Sequence, residues 1–151
     1  MGIRRDAREH ALQALYSVEL HPESPREAVR LFLEAHPCGK AARNFALGLI
    51  TGVLDNQSAV DARIAEKSPN WSIARMAKID LCIIRLATYE LLCRDDIPRS
   101  VTINEAIEIA KKFGSEESPA FVNGILDEIA RGLPEKAAAV AVVSGEDDGN
   151  E

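Results

Sequence analysis

Arg4, Arg5 and Arg8 open a helical pattern that also carries Gln13 and Tyr16, and these are residue types that meet nucleic acid. A guanidinium fork contacts phosphate oxygens two at a time, with a strength that depends on salt. Tyr16 lies eleven residues after Arg5, about three helical turns, so both can project from one side of a helix. A second basic and aromatic group stands later in the chain, where Lys111, Lys112 and Phe113 end one helical pattern and Phe121 begins the next. Aromatic rings flanked by cations are the platforms on which unstacked RNA bases sit. The plainer alternative stays open from spacing alone. Terminal arginines are usually solvated, lysines complement a helix C-terminus, and phenylalanines belong more often to cores.

Other chemistry finds little support. His10, His21 and His36 lack the H-E-x-x-H or H-x-x-H spacing of a metal site, and Cys38, Cys82 and Cys93 lie at no ligand interval from them. An odd cysteine count without C-x-x-C spacing argues against both disulfides and a cysteine zinc site, leaving the three as small core residues. Gly48 to Gly52 lacks the lysine of a phosphate loop and suits close helix packing instead. The carboxylates are scattered, and no nucleophile and base can be paired. Neither catalysis nor a cofactor is expected.

The elements that must carry these groups are helices throughout. Apolar residues recur at helical spacing, and no stretch alternates strictly enough for a strand, so the fold class is all-α. Ala7, Ala11, Leu15 and Val18 line a first helix that stops at His21-Pro22. A short second helix ends near His36-Pro37, a third follows Gly39, and a fourth stops before Ser68-Pro69. Residues 75–93 are apolar around most of the helical circumference, which predicts a buried helix. Thr102-Ile103-Asn104-Glu105 reads as a capping box opening a helix that ends at Gly114. Ser118 suits the N-cap of the last helix, with Pro119 at its first position and Gly132 and Pro134 after its end. Two bundles split near Ser68-Pro69 fit this pattern.

The net charge of −6 is unevenly spread. From Glu135 onward five acids and one base carry −4, leaving −2 on residues 1–134. The expected organisation is therefore one folded domain over 1–134, nearly neutral with a basic start, and a disordered acidic tail over 135–151. Neither the N-terminus nor the uncharged run 137–144 is long and apolar enough for a signal or a membrane span, so a cytoplasmic location without membrane contact is expected.

Several ordered segments resemble the NusB family. Arg4-Arg5-x-Ala7-Arg8-Glu9-x-Ala11-x-Gln13-Ala14-Leu15-Tyr16 is similar to its opening. Leu86-Ala87-x-Tyr89-Glu90-Leu91, Asp96-Ile97-Pro98, the run Ile103 to Lys111, Phe113-Gly114 and the run Phe121 to Asp127 follow in the family's order. The similarity spans about residues 3–133. It implies about seven helices in two three-helix-like subdomains and a non-catalytic role in transcription antitermination on ribosomal RNA operons. It further implies binding to the boxA element of nascent RNA together with NusE, a ribosomal small-subunit protein, in a complex with NusA, NusG and RNA polymerase.

By position, the resemblance assigns RNA contacts to Arg4, Arg5, Arg8, Tyr16, Phe113 and Phe121, with Lys111 and Lys112 beside them. It sets the acidic Glu117 near that surface and assigns Asp80 to the NusE-facing side. Asp6 departs from the family, many members of which carry a third arginine there. Some members form homodimers that cover the RNA surface, and the sequence leaves monomer and homodimer both open. Two other readings remain: the NusB-like domain of ribosomal RNA cytosine methyltransferases, which needs a catalytic domain downstream, and a helical protein-protein adaptor whose arginines are merely solvated.

Overall fold

Seven α-helices make up the computed structural model, which describes residues 2–136. In chain order they are α1 (Ile3–Leu20), α2 (Pro25–Ala35), α3 (Lys40–Asp55), α4 (Gln57–Lys67), α5 (Lys78–Cys93), α6 (Arg99–Phe113) and α7 (Ser118–Arg131), with one 3-10 turn at Ile73–Arg75 between α4 and α5. No strand occurs among the described residues. The prolines stand where the chain can use them. Pro25 and Pro119 occupy first-turn positions, where a missing N–H costs nothing.

The apolar stripes explain the packing. Ala7, Ala11, Leu15 and Val18 of α1 are all buried, and α1 packs on α2, α3 and α5. Helix α5 is buried on most of its circumference, from Leu81 through Leu91, and touches α1, α3, α4, α6 and α7. The chain thus gathers α1–α3 on one side of α5 and α6–α7 on the other, with α4 leaning on α5 and α7. Gly52 matters because the Tyr89 ring lies where its Cβ would be, so α3 and α5 approach more closely there than any larger residue allows.

Two ionic groups, the first buried and the second partly so, set the register of these helices. Arg8 of α1 donates two hydrogen bonds to Glu90 of α5, at 2.8 and 3.1 Å, and Thr102 Oγ1 of α6 donates to the same carboxylate at 2.8 Å. Arg85 of α5 binds Asp61 of α4 through two hydrogen bonds and Glu19 of α1 through a third. A buried ion pair adds little net stability, but removing one partner strands the other in a dry site at a cost of about 3–5 kcal/mol.

Three details differ from the sequence expectation, the first being that Ser118 is the opening residue of α7 and Glu117 its N-cap, the Ser118 hydroxyl being bound to Asp80. Thr102 and Glu105 form no capping box, because α6 begins at Arg99 after Pro98 and both residues lie inside it. Their side chains are drawn to Glu90 and Arg5, tertiary partners that a local motif cannot reveal. Only Cys82 behaves as a core cysteine, its thiol pushed up to about 12 by burial, whereas Cys38 is half-buried and Cys93 is exposed at the end of α5. Past α7, Lys136 turns back to donate to the carbonyls of Arg94, at 2.8 Å, and Ile97, closing the C-terminal end of α5. The expected tail lies, from residue 137 onward, outside the described residues.

Candidate nucleic-acid interface

The first turn of α1 lies beside α3 and α6. Arg4 holds its guanidinium 4.6 Å from the centre of the Phe45 ring of α3, and Arg8 and Arg94 approach the same ring at 5.6 and 5.1 Å. Three cations around one aromatic ring concentrate positive charge, with part of the repulsion offset by the ring quadrupole and by the Glu90 and Asp96 carboxylates.

Arg5 points to α6, where Nε and Nη2 donate to Glu105 at 2.5 and 2.7 Å. The hydrogen bond from Arg5 holds the Glu105 carboxyl below the usual carboxylate range, against the opposing effect of burial. Lys112 reaches back to Glu9 at 2.9 Å and lies 5.4 Å over Phe113, and Lys111 pairs with Glu108 at 3.1 Å. Arg5, Asp6, Glu9, Glu108, Lys111 and Lys112 together line an open groove of about 400 Å³. Three cations face three acids in it, so this surface is self-neutralised rather than basic.

Arg8 is the residue that departs most from its expected role as a phosphate contact. It is 4% exposed, and its fork is engaged by Glu90. The arginine that follows the helical period onto the inner face of α1 is the one drawn into the core. Its placement holds the α1 N-terminus, and with it Arg4 and Arg5, against α5.

Tyr16, Phe113 and Phe121 are all partly buried, packed on the core while keeping an exposed portion. Phe121 also meets Trp71 edge to face, with ring centres 5.6 Å apart. Trp71 is 53% exposed and stands in the loop between α4 and α5. With Lys67, Asn70, Gly124 and Ile125 these rings line a second groove of about 300 Å³. Motif reading missed Trp71. The available signal was the single tryptophan of the chain, lodged between Pro69-Asn70 and Ser72, off any helical stripe and so without a core face to join.

Asp80 lies in the first turn of α5, where an acid suits the helix dipole. It accepts a 2.6 Å hydrogen bond from Ser118 Oγ, which in turn accepts the N–H of Ser115. The carboxylate thereby ties α5 to the α6–α7 turn while remaining partly exposed. Glu117 is exposed one residue before α7. Among the described residues no cluster of three or more His, Cys, Asp or Glu could hold a metal, and no helix is long and apolar enough to cross a membrane.

Comparison with known proteins bears on the fold as a whole. The transcription antitermination protein NusB of Geobacter sulfurreducens is 56% identical over 137 residues, covering 90% of this chain and 99% of that protein. The solved structure of T. maritima NusB superposes with a TM-score of 0.78 at 38% identity, covering 91% of this chain and 95% of the other. The antitermination factors NusB and NusE solved in complex with dsRNA match with a TM-score of 0.80 at 25% identity, over 88% of this chain and 99% of that one. The NusB family model matches residues 5–131, from the first turn of α1 to the end of α7, and the chain belongs to the NusB family.

Proposed function

We propose that this protein is a transcription antitermination factor that binds boxA RNA of nascent ribosomal RNA leaders together with NusE and so supports processive elongation by RNA polymerase. The observation that carries the reading is likeness over nearly the whole domain to proteins named for antitermination, one of them solved with NusE and dsRNA. NusB is a family of antitermination factors and not of enzymes. NusA, NusG and the polymerase complete the proposed assembly, which works in the cytoplasm.

Arg4, Arg5, Lys111 and Lys112 contact phosphate in this reading, while Tyr16, Phe113 and Phe121 offer their exposed ring portions to bases. Arg8 acts through position, by holding α1 on α5. The exposed pairs of Lys111 and Lys112 are weak, so a phosphate can replace Glu108 or Glu9 as their partner at small cost. Asp80 faces the basic partner NusE, as an acid left partly exposed beside the start of α7. The binding domain runs on past residue 134 to Lys136, which closes the end of α5, and the acids beyond it repel RNA.

A gel shift with boxA RNA, with and without NusE, tests the reading. Binding that weakens with salt and tightens with NusE is expected, and Asp80→Lys should reduce the NusE gain more than it reduces binding of RNA alone. A protein that binds NusE but never RNA would instead be a protein-protein adaptor, the reading that the internally paired Arg5, Lys111 and Lys112 would then favour.

A further inference from the structure

The groove between the α4–α5 loop and α7 differs in kind from the charged face beside α1. It is lined by Lys67, Ser68, Pro69, Asn70 and Trp71 on one side and by Ala120, Phe121, Gly124 and Ile125 of α7 on the other. One lining residue is ionisable, Lys67, and it makes no ion pair among the described residues. Trp71 leaves about half of its indole in water, and it meets the Phe121 ring edge to face, which leaves indole surface open to the groove. Gly124 floors the groove, and a Cβ there would meet nothing within 4 Å. An open slot of about 300 Å³ thus has an aromatic wall, a cation at one end, the Asn70 amide nearby and no acid.

We infer that this groove takes one unpaired RNA base, stacked on Trp71 between the α4–α5 loop and α7, with its phosphate held by Lys67. The inference rests on the RNA-binding reading above and extends it to residues outside the surface proposed there. Three features favour a base over an apolar peptide side chain. An indole face stacks any base without regard to sequence, the cation suits the phosphate that every base brings with it, and Phe121 is shared with the proposed RNA surface, so one strand can run from one site to the next. The absence of carboxylates in the lining removes the repulsion that a strand meets beside Asp6, Glu9 and Glu108.

Trp71 is the single tryptophan of the chain, so its fluorescence reports this groove alone. The full-length protein is titrated with single-stranded boxA RNA while tryptophan emission and gel shift are followed together. Quenching that saturates at the affinity measured by gel shift is expected. Trp71→Ala should weaken binding by about 5- to 100-fold, and Trp71→Phe should recover most of the loss. Gly124→Leu fills the slot from its floor and should weaken RNA binding while keeping the melting temperature, since leucine favours helix over glycine. Circular dichroism of each variant separates lost binding from lost folding.

A wild type that shifts the RNA without quenching, or a Gly124→Leu variant that folds and binds as well as wild type, would overturn the inference and leave the functional reading intact. Quenching by NusE in the absence of RNA, with none by RNA, would give the groove to a protein partner and overturn it too. A wild type that binds no RNA at all would overturn both.

Discussion

The α1–α6 face and the groove at Trp71 differ in how far their side chains are already satisfied. Beside α1, Arg5, Lys111 and Lys112 each hold a carboxylate, and Arg8 is enclosed with Glu90. At Trp71 an aromatic ring is left half in water and Lys67 makes no ion pair among the described residues. A count of arginines and lysines therefore overstates the free positive charge of the first region, while the apolar lettering of the second hides a surface with unmet contacts. On the proposed reading, RNA displaces internal carboxylates at the first site and only water at the second.

The largest effect is expected at the buried end of the charged region. Glu90→Ala strands the Arg8 guanidinium and the Thr102 hydroxyl in the core and should cost about 3–5 kcal/mol, a large part of the 5–15 kcal/mol typical of a domain. Trp71→Ala, by contrast, should change stability by under about 1 kcal/mol, as a surface substitution. Urea unfolding of both variants makes the comparison. Equal losses would mean that Trp71 is a packing residue and that the two regions do not differ in the way described.

Arg5→Ala comes next. It should weaken boxA binding and lower the salt slope by about one unit or less, with helix content unchanged. Unaltered affinity at low salt would mean that Glu105 keeps Arg5 from the RNA. The same pair predicts a pH effect of definite sign. Glu105 has its folded-state pKa depressed by Arg5, so the pair stabilises the protein above the ordinary value of 4.5, and that contribution is lost as pH falls through the lower folded value. Melting temperatures of wild type and Arg5→Ala should therefore differ at pH 7 and converge as pH falls through the depressed folded value of Glu105. A gap that widens in acid would contradict the pairing.

The smallest expected effect comes from the acidic C-terminal stretch. Deleting residues 137–151, which carry four acids and no base, should leave stability within about 1 kcal/mol and raise RNA affinity slightly at low salt, with the gain fading as the salt screens it. Deleting from 135 also removes Lys136, which closes the end of α5, and should cost more by melting temperature. If both deletions behave alike, Lys136 adds nothing to α5.

Much of this architecture was legible in the chain because helices announce themselves locally. The apolar period of α1, the proline stops after α1, α2 and α4, and the near-continuous apolar run of α5 each depend on residues within a few turns, and all reappear in the structure. The reading failed where a local motif had a distant competitor. Thr102 and Glu105 have the spacing of a capping box, yet Glu90 and Arg5 claim them, because a buried carboxylate and a guanidinium gain more from a charged hydrogen bond than a helix terminus does from a cap.

The sequence by itself determined the helical class, the order of the helices, the family and the residue types available for RNA, since periodicity, breakers and motifs are properties of neighbours along the chain. Which of those residues face outward was decided only by tertiary structure. Arg4, Arg5 and Arg8 are indistinguishable as letters, but folding brings Glu90 to Arg8, Glu105 to Arg5 and the Phe45 ring to Arg4. Trp71 and Phe121, fifty residues apart, form one groove because α4 and α7 pack side by side. A charge or a ring gains its function from the partner that folding brings to it, and that partner is encoded far away in the chain.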